Sequence, residues 1–164
     1  QFINTFADRL NTVFKPELVV GRIENMKKIY YPYISKHILR WNLHAGKVEN
    51  WLEEIEKMKR FALERPSYVI QHIIQCFDLE GTANIKINAD EGGTVKINSL
   101  TLESSDIPWE GVYFKSIPIT IEALPKPGYV FAGWEGIDDL QQTMTIELFG
   151  DLSIKALFER DENN

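Results

Sequence analysis

Ala83–Ile97, ANIKINADEGGTVKI, decides how the second half of this chain folds. Ala83, Ile85 and Ile87 alternate with Asn84, Lys86 and Asn88, and Val95 and Ile97 resume the alternation. Side chains of an extended strand point to opposite faces in turn, so period two collects the apolar residues on one side. The intervening Asp90-Glu91-Gly92-Gly93 predicts a hairpin. Downstream, Ile117, Ile119, Ile121 and Ala123 predict another strand, closed by Pro125-Lys126-Pro127-Gly128. Tyr129-Val130-Phe131 and Trp134 come next. Met144, Ile146 and Leu148, a turn at Gly150-Asp151, and Leu152, Ile154, Ala156 and Phe158 predict a last hairpin. About six short strands with tight turns make a small, mainly antiparallel β domain, a sandwich or β-grasp-like fold. Arg160–Asn164 reads as a frayed polar tail.

Upstream of Gly81 the period changes. Phe2, Phe6, Leu10 and Val13 form one helical stripe. Phe14, Pro16 and Gly21 punctuate the next stretch. Ile23, Met26, Tyr30, Ile34, Ile38 and Trp41 continue at helical spacing, with a kink or break predicted at Pro32. A further helix is predicted over 47–64, burying Val48, Trp51, Leu52, Ile55, Met58, Phe61 and Ala62. Its charge order suits the helix dipole, and Glu53→Lys57 and Glu56→Arg60 are favourable pairs. Pro66 is read as ending that helix and opening another over 66–77, which buries Val69, Ile70, Ile73, Cys76 and Phe77. The fold class is therefore α+β, with a helical segment over 1–80 and an all-β module over 81–164.

Charge follows the same division. The 164 residues carry 18 Lys+Arg against 24 Asp+Glu, a net charge of -6. Residues 1–80 hold 12 basic and 10 acidic residues (+2), and residues 81–164 hold 6 and 14 (-8). The acidity belongs to the β half, a poor surface for nucleic acid. No apolar run approaches the ~20 residues of a membrane helix. One cysteine excludes an intrachain disulfide and a Cys-based zinc site.

No catalytic constellation stands out. Gly128, Gly133 and Gly136 lack phosphate-loop spacing and read as turn glycines. His37 and His44 are too far apart for a helical metal pair, and His72 lies on a helix whose apolar face is full. Asp138, Asp139 and Asp151 lack calcium-loop spacing. Cys76 reads as inert core, and Ser104 and Ser105 as loop residues without a nucleophile elbow. Arg40 and Trp41 read as a guanidinium stem packed on indole. The aromatics carry more weight. Trp109, Tyr113 and Trp134 are the candidate ligand-binding residues, a platform for a sugar or a protein partner, set against the plainer reading that they fill a small core.

Two stretches resemble known families. FINTFADRLNTVF (2–14), HILRW (37–41), Trp51 and FALERP (61–66) occur in the order found at the C-terminal helical end of the CotH family, the spore-coat-protein-H-like atypical kinases. ITIEALPKP (119–127), GYVFAGWEG (128–136) and IKALF (154–158) are similar to divergent InlB B-repeat-like modules of bacterial surface proteins. The resemblance implies a kinase-like parent that uses ATP and magnesium through residues upstream of these helices. No residue here matches the family's catalytic positions, and Asp8 lies in an amphipathic helix with no catalytic role carried onto it. Beginning at Gln1, inside a helix, suits a fragment. The resemblance thus implies a non-catalytic region with no cofactor and no metal of its own. It would be secreted or at the bacterial cell surface, its partners being the upstream polypeptide and a protein or glycan, with no nucleic acid and no membrane span. A carbohydrate-binding or adhesion module is the alternative.

Overall fold

The computed structural model describes residues 1–41 and 47–161. Among them, three helices precede eight strands: α1 (Phe2–Leu10), α2 (Pro16–Trp41), α3 (Val48–Phe77), β1 (Thr82–Ala89), β2 (Gly93–Ile97), β3 (Leu100–Leu102), β4 (Trp109–Phe114), β5 (Ile119–Pro125), β6 (Tyr129–Glu135), β7 (Thr143–Ile146) and β8 (Leu152–Arg160). The α+β class read from the sequence is the class observed. By contacts the chain divides into one unit of residues 1–11 with 73–164 and another of residues 12–72. The compositional change at Gly81 does not mark that division, because α1 joins the strands.

The β unit is a sandwich of two four-stranded sheets, ordered β4-β1-β8-β6 and β3-β2-β5-β7. All neighbours are antiparallel except β1 and β8. Ile85, Ile87, Ile154 and Ala156 from one sheet, and Val95, Ile97, Ile119, Ile121 and Met144 from the other, are buried. Period-two alternation thus identifies the inward faces of β1, β2, β5, β7 and β8; β3 and β4 are not among the strands read from the sequence.

Both expected hairpins are corrected. β1 and β2 lie in different sheets, and so do β7 and β8. Alternation marks which side of a strand is buried; it is satisfied equally by a neighbour in the sheet and by one across the core. The Asp90 carboxylate fixes the first crossing, accepting from Gly92 N–H at 3.0 Å and from Phe158 N–H at 2.9 Å. Asp151 fixes the second, accepting from the backbone N–H of Asn84 at 2.8 Å and from its side-chain amide at 3.2 Å.

These hydrogen bonds, the backbone one first, hold the Asp151 carboxyl below its ordinary value of 3.8. A depressed carboxyl contributes stability that is present above the unfolded value and lost as pH falls through the folded one. Asp151→Ala should therefore flatten part of the acid limb below about pH 4 in urea-unfolding midpoints and leave its slope at neutral pH unchanged.

In the other unit, α2 and the part of α3 up to His72 run antiparallel. Lys59 reaches across to Glu24 and is also 2.6 Å from Glu56, and the Tyr31 and Trp51 rings lie 6.3 Å apart. Neither proline breaks its helix: Pro32 lies within α2 and Pro66 within α3. A proline removes one N–H, and near Pro66 the Ser67 hydroxyl donates to the Glu64 carbonyl at 2.7 Å. The expected buried face of α3 is corrected as well. Ile55, Ala62 and Ile73 are buried, whereas Met58, Phe61, Phe77 and Cys76 are exposed.

Candidate functional site: a helix-docking site on the β unit

The expected apolar stripe of α1 is not what docks it. Phe2 is exposed, and Phe6 and Leu10 are half-buried. The buried residues are Ala7, Asp8 and Asn11, with Asp8 only 1% exposed. Asn4, Asp8 and Asn11 stand at i, i+4 and i+7, a second stripe about 200° round the helix from the apolar one.

Asp8 sits at the centre. One carboxylate oxygen accepts from the Tyr113 hydroxyl at 2.8 Å and from the Asn98 amide at 3.4 Å. The other accepts from the Ser99 N–H at 3.1 Å and the Ser99 hydroxyl at 2.5 Å. Burial, then the negative charge of Asp8 and its hydrogen bond, push the Tyr113 phenol far above its ordinary value. It stays a protonated donor.

Asn11 closes a strand edge. Its side-chain oxygen accepts from Val112 N–H and its side-chain NH2 donates to the Val112 carbonyl, each at 2.8 Å. β4 is an edge strand, so one amide supplies both bonds that a neighbouring strand would make there. Asn4 adds a donor to the Pro118 carbonyl at 2.7 Å.

Of the three expected ligand-binding aromatics, Trp109 and Tyr113 come together, with ring centroids 6.3 Å apart. Both are buried. The Trp109 indole lies across Gly111, where an added Cβ would come within 2.2 Å of the ring. Trp134 packs separately on Phe131, centroids 5.4 Å apart, and its indole N–H donates to the Gln141 carbonyl at 2.9 Å. All three rings are buried within the β unit, the packing that the plainer core reading describes. Asp8, Asn11 and Asn4 were missed. The usable signal was a polar i, i+4, i+7 stripe opposite the apolar one.

The remaining candidates are dispersed. His37 and His72 are exposed, Ser104 and Ser105 lie in an exposed turn, and His44 is outside the described residues. Asp139 accepts from Gln141 N–H at 2.8 Å, and Asp151 serves the second crossing. The Arg40 guanidinium lies 5.5 Å from the Trp41 ring centroid, but that indole is exposed. Among the described residues no group of three or more His, Cys, Asp or Glu side chains could hold a metal ion. No helix among them is long and apolar enough to cross a membrane.

Comparison with known families agrees with the two resemblances and their order. Residues 1–69 match the model of the CotH kinase protein family, and residues 83–162 match that of the divergent InlB B-repeat domain. Searches of curated proteins and of solved structures returned no match. The polar face of α1 lies in the first match and its hydrogen-bonding partners in the second.

Proposed function

We propose that this chain is the non-catalytic C-terminal region of a CotH-like secreted or cell-surface bacterial protein, with its β module serving as a spacer or recognition domain. The observation that carries the reading is the surface of α2, which has no buried residue along its 26 residues. Met26, Ile29, Tyr30 and Tyr33 form an exposed apolar stripe, and Met58 and Phe61 expose a similar one on α3. Apolar surface on this scale marks an interface. The proposed cover is the upstream part of the same polypeptide, completing a kinase-like fold.

ATP and magnesium are assigned to that parent and not to these residues. Among the described residues the one buried carboxylate, Asp8, is engaged by Tyr113, Ser99 and Asn98, so the donor set here does not fit a nucleotide–metal site. Calorimetric titration of ATP with magnesium into this chain should give no binding at micromolar concentration; a magnesium-dependent micromolar site would overturn the non-catalytic reading. This chain should also bind a dye that fluoresces on apolar surfaces. A longer polypeptide supplying the rest of the CotH-type domain should bind clearly less.

A further inference from the structure

The contacts of α1 have an unusual balance. Its one buried apolar residue is Ala7, and the other buried side chains, Asp8 and the C-capping Asn11, are polar. What holds the helix to the sandwich is a set of hydrogen bonds with the Tyr113 hydroxyl, the Ser99 N–H and hydroxyl, and both backbone groups of Val112. The hydrophobic core beneath comes from the strands themselves. Polar side chains at three positions on one helical face, matched to fixed acceptors and donors, make a recognition surface and not shared core.

We propose that the β unit carries a helix-recognition site specific for an Asn-x-x-Ala-Asp-x-x-Asn face, with α1 as the ligand it holds in this chain. The site is formed by the edge of β4, Tyr113 and the Asn98-Ser99 turn between β2 and β3. The Asp8 carboxylate is read by convergent donors, and Asn11 is read by the donor–acceptor pair of Val112. The ligand class is therefore a helix with a carboxylate and a primary amide three residues apart. These contacts all lie within the β unit and are independent of any activity of the parent protein.

The test uses the full chain with a site-specific protease sequence inserted between Phe14 and Lys15. After cleavage, size-exclusion chromatography with mass detection reads whether the α1 peptide stays with the remainder. A labelled synthetic peptide of residues 1–14, added in excess, reads exchange. The expected result is co-elution, with exchange into the labelled peptide. An Asp8→Ala/Asn11→Ala peptide should compete at least tenfold more weakly, and a Phe2→Ala peptide within about threefold of the parent. Because only the added peptide is altered, folding of the receptor is not at issue. Loss of α1 from the cleaved chain at micromolar concentration would overturn the proposal. So would equal competition by the doubly substituted peptide, or a larger loss on Phe2→Ala, which would place recognition on the apolar face.

Discussion

Asp8→Ala is expected to lower the stability of the β unit by about 4 kcal/mol, the range for removing one partner from a buried charged network. The Tyr113 hydroxyl, itself fully buried, loses its acceptor, and Ser99 loses an acceptor for both its N–H and its hydroxyl. For a chain of this size that corresponds to a fall of roughly 10 °C in melting temperature. Tyr113→Phe should cost less, about 1–2 kcal/mol, since Asp8 keeps Ser99 and Asn98. The double variant should fall short of additivity by about 1 kcal/mol or more. Additive losses in urea unfolding would show that the two groups do not share a network. The alkaline limb supplies an independent check. A phenol raised in the folded state contributes stability present below its unfolded value of 10.0 and lost as pH rises towards the folded one. Tyr113→Phe should therefore flatten the loss of stability above pH 10.

Gly136→Ala is expected to cost about as much, roughly 4 kcal/mol, by a different route. Its φ of +93° lies where an L side chain is strained, and an added Cβ would lie 2.1 Å from the Ser153 carbonyl oxygen. That oxygen belongs to the backbone of β8, which is paired to β1 on one side and β6 on the other, so neither chain can give way cheaply. Gly128 makes the control. Its φ is +81°, with nothing within 4 Å of an added Cβ. Gly128→Ala should therefore cost only the backbone strain, about 1 kcal/mol. Equal losses for the two variants would mean that the approach to Ser153 is relieved without cost.

The hairpins failed, and the docking face of α1 went unread, for one reason. Both required knowing a partner distant in the chain. Ile85 and Val95 were correctly placed on inward faces, but no local signal says that their strands belong to opposite sheets. Leu10 and Phe6 gave α1 its apolar stripe, while nothing local to Asp8 marked it as buried. Its partners lie 90 to 105 residues away, at Asn98, Ser99 and Tyr113. The same distance hid the role of Tyr113, which as a sequence feature is only one aromatic among several.

Local periodicity and glycine placement determined, from the sequence by itself, that helices precede strands, where the change falls, and which residues of β1, β2, β5, β7 and β8 face inward. Those properties depend on neighbours within a few positions. Only the tertiary structure decided which strands pair, that α1 folds with the sandwich, and that its polar face is the one buried. A buried carboxylate and amide are tolerable only where donors and acceptors from remote segments converge on them. Convergence of that kind is a property of the folded chain alone.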